Sequence, residues 1–307
     1  MTKPAIGSNG SSPTLTVAAP AKVNLILRVL DRRTDGYHNL WSLMQTVGVA
    51  DELTLSHDPH HSAIRLQCDQ PSLKTDSSNL VYRAAAAVLQ HGGLTVGLDI
   101  RLAKRIPMGA GLGGGSSDAA ATIMGLNRLL RLGWSAEKMA EIGQGLGSDV
   151  PFFMFAPTAI VAGRGEQVAP VRISGTRWVL LVNPGFEVET KWAYQQLSAT
   201  RAGVQPISDA HQAIGKGSDL SWEQIMQTAE NDFETPVFKA FPTLQQIKQQ
   251  LLAEGAEAAL LSGSGATVFG VFPDEATARQ AQNGFRAEPQ FKVFVTSTAL
   301  DKNSSGW

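Results

Sequence analysis

The sequence predicts an α+β protein of two domains, and three observations carry that prediction. Its 307 residues exceed what one hydrophobic core usually organises, and 43% hydrophobic against 17% charged residues is the composition of a folded globular chain. Strand signals open the chain, whereas its last third alternates helix and strand in the order expected of helices on one face of an antiparallel sheet. Between them, an unusually glycine-dense run joins a strand signal to a helix signal. The organisation expected is a disordered arm over residues 1–14, a first domain over 15–174, a second over 175–300 and a tail over 301–307.

The elements follow from local pattern. Over residues 15–30, Val23, Leu25, Leu27 and Val29 alternate with Lys22, Asn24, Ile26 and Arg28, a period of two with one apolar face. Asp35-Gly36 breaks the strand with turn chemistry. Further strands are expected over 41–55, 64–67 and 94–102, with an Ala-rich helix over 79–89 capped by Ser78 or Asn79. Helices follow over 116–132, ended by Gly133, and over 135–146, closed by Gly147. Strands return at 159–162 and 178–182. Residues 201–221 are polar and weakly periodic and read as a long surface connection. The remainder reads helix (241–253), strand (258–261), glycine turn, strand (266–272), helix (275–284) and strand (291–296).

Composition excludes several functions. A net charge of -1 and a pI of about 6.6 give no footprint for nucleic acid or an anionic membrane, so a small-molecule partner is expected. The one cysteine, Cys68, has no partner for an internal disulfide, and no Cys/His cluster suggests zinc; a reducing cytoplasm fits. The Gly/Ser/Pro-rich start lacks the apolar core of a signal peptide, and the uncharged run over 150–163 is interrupted by proline and too short to span a bilayer.

The chemistry concentrates in Pro107-Met108-Gly109-Ala110-Gly111-Leu112-Gly113-Gly114-Gly115-Ser116-Ser117-Asp118. Glycines between a strand and a helix leave bare backbone N–H groups that can curl around an anion, and the helix start adds roughly half a positive charge. A flexible loop before a capped helix is the bland alternative; the strand–loop–helix context favours anion binding. Three phosphate-loop readings fail. No GK[ST] follows the glycines, which excludes a Walker A loop. Gly109, Gly111 and Gly114 satisfy GxGxxG, but the acidic residue a dinucleotide fold needs about 20 positions later is missing; a helix end occupies residues 131–134. The HRD and DFG elements of protein kinases are absent.

The loop resembles instead the phosphate loop of the GHMP kinases, and its wording is similar to that of the diphosphocytidyl-methylerythritol kinases among them. Three further segments resemble family motifs in order: Ala19-Pro20-Ala21-Lys22-Val23-Asn24-Leu25, Leu146-Gly147-Ser148-Asp149-Val150-Pro151, and Leu261-Ser262-Gly263-Ser264-Gly265-Ala266-Thr267. Asp35-Gly36-Tyr37-His38, Asn183-Pro184-Gly185 and Asn231-Asp232-Phe233-Glu234 are lesser matches, and the likeness runs from residue 15 to about 298. It implies an N-terminal domain like ribosomal protein S5 and a C-terminal ferredoxin-like sandwich. It also implies transfer of the ATP γ-phosphoryl group to the 2-hydroxyl of cytidine-diphosphate-linked methylerythritol, in the non-mevalonate route to isoprenoid precursors.

Residue by residue, the resemblance makes Lys22 and Asp149 catalytic. A lysine on a strand is ordinarily a solvated face residue, but Ala19, Ala21 and Val23 suggest burial. Asp149 could be a turn residue bonding its own backbone, yet a carboxylate against Val150-Pro151-Phe152-Phe153 is costly unless paired, and Lys22 is the expected partner. Asp149 acts either as a full base or chiefly to position the nucleophile. Pro107, Gly109, Gly111, Leu112, Gly113, Gly114, Gly115, Ser116 and Ser117 are expected around ATP, with Lys104 where the family backbone borders adenine. Magnesium is expected, with Ser117 and Asp118 as candidate ligands. For the acceptor, Asn24 accompanies Lys22, Tyr37 and Tyr194 sandwich cytosine, His38 reads its edge, Thr190 lies near the diphosphate, and Gly263, Ser264 and Gly265 bring a second backbone loop to the phosphates. Another GHMP kinase, acting on homoserine or mevalonate, and a non-catalytic protein on the same fold are the alternatives. The Asp35-Gly36-Tyr37-His38 turn speaks against the first, and the presence of both Lys22 and Asp149 against the second.

Overall fold

The computed structural model describes residues 13–58, 60–201, 206–216 and 219–299; the expected tail and all but the last two residues of the expected arm lie outside them. The chain begins with two long strands, β1 (Thr14–Arg32) and β2 (His38–Asp58), followed by β3 (Ile64–Cys68), helix α1 (Leu80–Gly92) and β4 (Gly97–Ala103). Helices α2 (Gly114–Leu129), α3 (Ala136–Gln144) and α4 (Phe152–Phe155) lead to β5 (Thr158–Gly163), β6 (Gln167–Pro170) and β7 (Arg172–Ser174). Next come β8 (Trp178–Asn183), α5 (Thr190–Thr200), α6 (Asp209–Lys216), β9 (Asp219–Ser221), α7 (Trp222–Thr228) and β10 (Glu230–Asn231). The chain closes with α8 (Glu234–Ala240), α9 (Pro242–Ala253), β11 (Ala258–Leu261), β12 (Val268–Phe272), α10 (Glu275–Asn283) and β13 (Lys292–Ser297).

Two large sheets and a small pair, β7 with β9, organise these elements. The first runs β10-β1-β2-β4-β3, with β5 added to β2 and β6 to β5. The second is antiparallel, in the order β11-β12-β8-β13. Alternation along β8 shows why they stack: Leu180 and Val182 face a core with Leu244, Ile247 and Ala278 of α9 and α10. Val179 and Leu181 face a central layer shared with Val23, Leu25 and Leu43 of the first sheet. The second sheet therefore has helices on one face, as expected, and the first sheet on the other.

Strand β1 departs from a single apolar face. Its register shifts between Pro20 and Ala21 and again between Asn24 and Ile26, and each irregularity turns the strand. Val17 and Ala19 therefore point into the core under α1 and α2, Ala21, Val23 and Leu25 into the central layer, and Leu27 and Val29 into the core under α9. Ile26, expected beside Lys22 and Asn24, sits instead in the central layer.

Local caps fix the starts of α1 and α3. Asn79 accepts from the Val81 amide at 2.8 Å and starts α1, and Ser135 caps α3. Helix α2 stops at Leu129, short of the expected 132, because the chain turns through Arg131 at φ 53° before Gly133 at φ 69°. The expected surface connection over 201–221 is corrected: it carries α6, which buries His211 and Ile214, and β9, which pairs with β7. A helix of eight residues is about two turns long, so its one buried pair, His211 and Ile214, cannot repeat often enough to stand out.

Phe269 of β12 is fully buried in the layer between the sheets. Phe269→Ala should cost about 3–5 kcal/mol, read as a lowered denaturant midpoint at unchanged slope.

Candidate active site

The glycine loop enters from β4 and leaves through α2. Gly109, Gly111 and Gly113 hold φ values of 59°, 75° and 69°, where side chains are disfavoured. Gly113 occupies the N-cap of α2 without a capping side chain, so the first amides of a 16-residue helix face the loop unspent. In front lies a cleft of about 580 Å³ lined by Pro107, Gly109, Gly111, Leu112, Gly113 and Gly114, together with Gly115 and Ser116. Ser117 does not reach it; it is buried behind the loop, and its Oγ and Asp118 Oδ1 are the buried side-chain oxygens without a hydrogen-bond partner among the described residues. Burial pushes the Asp118 carboxyl up to about 7 despite the opposing pull of Lys104.

Lys104 borders this cleft, but its ammonium is not free for a nucleotide. It pairs with Asp51 and, at 2.7 Å, with Asp118. Burial alone would lower its pKa; the two carboxylates more than offset that and hold it above the ordinary lysine value. The side chain thus belongs to an internal ion cluster, while the residue itself lines the cleft, where its backbone is expected to border adenine.

A second cavity of about 250 Å³ lies across the loop, and Gly111 and Gly113 form part of the walls of both. Lys22, Asn24, Asp149, Thr190, Tyr194 and Gly263 line it, with Ser264. Lys22 Nζ stands 3.5 Å from Asp149 Oδ2 and donates to Asn24 Oδ1 at 2.7 Å. Asn24 Oδ1 also accepts from the Gly263 amide at 3.0 Å, and Asn24 Nδ2 donates to Ser42 Oγ at 2.8 Å. Lys22 is 5% exposed at its side chain and Asp149 31%, so the lysine is held from behind while the carboxylate faces the cavity. Asp149 lies in the turn before α4, anchored by buried Val150, Phe152 and Phe153.

The second glycine motif is pressed against the first. Ser262 Oγ donates to the Gly111 carbonyl at 3.0 Å, and the Thr267 amide donates to the Ala110 carbonyl at 3.2 Å. A Cβ on Gly111 would lie 2.0 Å from the Ser262 carbonyl oxygen, so glycine is obligatory there. Gly265, at φ 99°, closes this turn by donating to the Ser262 carbonyl and does not line the cavity. Thr190 and Ser264 hydroxyls meet at 2.9 Å on the cavity wall.

The expected base sandwich differs from the structure. His38 itself stacks on Tyr194, with centroids 4.8 Å apart and planes 19° from parallel, and its Nε2 lies 3.3 Å from Ser198 Oγ. Tyr37 is 54% exposed and carries the Arg164 guanidinium over its ring at 4.0 Å. Tyr37 and Tyr194 therefore do not flank an open slot: the imidazole already covers one face of Tyr194, and Phe233 packs edge-on to it. Burial, reinforced by Arg32, lowers the His38 pKa below its ordinary value. Burial, then the charge of Asp149, pushes the Tyr194 phenol up to about 12.

Sequence reasoning missed Ser42, which orients Asn24 and donates onward to the Ile26 carbonyl, and Asp51. It noted Asn231-Asp232-Phe233-Glu234 without a role. Asn231 Nδ2 donates to the Leu261 and Gly263 carbonyls at 2.7 and 2.8 Å, and Glu234 accepts from the Leu261 amide. That motif holds the second glycine loop.

Comparison with known proteins gives the family. The family models "GHMP kinases N terminal domain" and "GHMP kinases C terminal" match residues 79–156 and 208–289. A 4-diphosphocytidyl-2-C-methyl-D-erythritol kinase from Syntrophotalea carbinolica is 44% identical over 92% of this chain and 98% of its own. The chain belongs to the GHMP kinases, in the family of 4-diphosphocytidyl-2-C-methyl-D-erythritol kinases. A kinase of the same name from Geobacter sp. strain M21 is 45% identical over 87% of this chain and 92% of its own. A crystal structure of a 4-(cytidine 5'-diphospho)-2C-methyl-D-erythritol kinase superposes with a TM-score of 0.74 at 33% identity, covering 92% of this chain and 99% of that one. Homoserine kinase from Cytophaga hutchinsonii, at 19% identity and a TM-score of 0.71, shares the GHMP fold.

In this GHMP kinase, Gly111→Ala should part the two glycine loops. A displacement of that size at reacting groups costs about 10² in rate, so kcat/KM should fall by about that factor while the far-UV circular dichroism stays native.

Proposed function

We propose that this kinase transfers the γ-phosphoryl group of ATP to the 2-hydroxyl of 4-diphosphocytidyl-2-C-methyl-D-erythritol. The observation that carries the reading is the shared wall: a glycine loop at a bare helix N-terminus separates a large cleft from a smaller cavity holding Lys22 and Asp149. ATP lies in the larger cleft, its phosphates against the loop amides. The acceptor lies in the smaller one, its hydroxyl between Asp149 and the loop. The bond from the γ-phosphorus to the bridging oxygen breaks, the hydroxyl oxygen bonds to phosphorus, and Asp149 takes the hydroxyl proton. Lys22 orients the carboxylate and offsets charge on the transferring group, which in a loose transition state is chiefly a matter of position and electrostatics.

Asp118 lines the larger cleft with a partnerless Oδ1 that fits a hard divalent cation, and we assign magnesium to it, whereas Ser117 lies buried behind the loop. When bound, magnesium neutralises phosphate charge. Burial lowers the His38 pKa and so favours the neutral imidazole, with one donor and one acceptor; to read a cytosine edge it gives up Ser198 and the Tyr194 face that it covers. We place the division between domains near residue 174, where the chain leaves the strands around the first sheet for β8 of the second. A single cysteine suits a cytoplasmic setting. Among the described residues no helix is long and apolar enough to cross a membrane.

Three measurements test the reading. Asp149→Asn should lower kcat by about 10²–10⁴ with ATP affinity retained by calorimetry; near-normal turnover would remove Asp149 from the reaction. Coupled ADP-release assays should show strong preference for the cytidine-bearing acceptor over methylerythritol phosphate without the nucleotide. Equal rates on the two would sink the acceptor assignment. The cytidine-over-uridine preference should hold from pH 8 down through the ordinary imidazole range and weaken only below it, because protonation replaces the imidazole acceptor with a second donor. His38→Ala should weaken that preference at every pH.

A further inference from the structure

The ion cluster that captures Lys104 centres on Asp51, near the middle of β2, which is 1% exposed. Both of its oxygens are spent. Oδ1 accepts from the Arg105 amide at 2.5 Å and the Ile106 amide at 2.9 Å, the last two residues before the loop's Pro107. Oδ2 holds the Lys104 ammonium, which reaches on to Asp118 in the second turn of α2, the helix that leaves the loop. We propose that Asp51 is a positioning residue for the phosphoryl donor: one buried carboxylate fixes both ends of the glycine loop, the incoming strand through two amides and the outgoing helix through Lys104.

The loop needs such a fixture. Three of its glycines hold left-handed backbone that no side chain of their own enforces, and glycine loses more freedom on ordering than any other residue. Its contacts with Ser262 and Thr267 hold the middle but not the ends. Stability alone is a poor reason for the cluster, since two carboxylates and one ammonium are costly to bury and apolar residues of similar size commonly hold neighbouring elements as well. What the charges add is direction. An amide pair fixed on a carboxylate and a lysine fixed between two leave the loop one geometry before the nucleotide arrives, so binding is spared the cost of ordering it.

The inference rests on the larger cleft being the ATP site, and its test separates the two. ATP affinity is measured by calorimetry on the full chain carrying Asp51→Asn, which keeps an acceptor for the amides but sets an NH₂ against Lys104, and carrying Asp51→Ala. ATP should bind about tenfold or more weakly in both. Leu98→Ala, a core truncation on the same β4, should lower the melting temperature and leave ATP affinity alone. Unchanged affinity in a folded Asp51→Asn, or an equal loss in Leu98→Ala, overturns the proposal. In the wild type without nucleotide, the Arg105 and Ile106 amides should exchange hydrogen as slowly as those inside β4. Fast exchange there overturns it even if the variants do not fold. A wild type that binds no ATP would defeat the reading of the cleft itself.

Discussion

The geometry of the active site hangs on the side-chain amide of Asn24. Its oxygen accepts from the Lys22 ammonium and from the Gly263 backbone, which fills both lone pairs, and its nitrogen donates to Ser42. The amide cannot turn over without losing all three bonds. A lysine has about 2 kcal/mol of rotamer freedom to surrender, and here that loss is made on folding and not during the reaction. Lys22 is thereby aimed at Asp149, and the second glycine loop is tied to the strand that bears Lys22 and Asn24.

Because the loops touch through Ser262 and Thr267, the two cavities are neighbours in a strict sense. Whatever sets the Gly111 backbone sets a wall of each. A group placed on the nucleotide side and a group placed on the acceptor side are brought to one line by the same few peptide units, which is the condition for in-line displacement. Rigid scaffolding continues behind: Asn231 and Glu234 brace the second loop, as Asp51 braces the first.

The sequence disclosed what is encoded in neighbours along the chain. The glycine run, the cap at Asn79, the phase of Lys22 and Asn24 and the apolar run beside Asp149 are local patterns, and each was legible. Bulges were not, since one added residue in β1 leaves no mark on composition yet sends Ile26 to another layer. Asp51 was invisible because Ala50-Asp51-Glu52 looks like the polar end of a strand; only the fold brings it to Lys104, 53 positions away. The stacking of His38 on Tyr194 joins residues whose spacing carries no period at all. Helix α5, which bears Thr190 and Tyr194, has a weak amphipathic pattern with only Ala193 and Leu197 buried.

Strand β1 has a further consequence. Its outer neighbour is β10, a two-residue strand laid parallel to Ile26 and Leu27, and it comes from residues 230 and 231. During synthesis the edge of the first sheet at Ile26 and Leu27 therefore emerges unpaired, a template for wrong pairing until some 200 further residues have been made. The wall at Ser262 to Thr267 arrives later still. Lys22 and Asp149 thus exist in the growing chain well before anything can be placed between them. A truncated product would have the phosphate loop without the surface that aligns an acceptor, and vectorial synthesis leaves competence to the end.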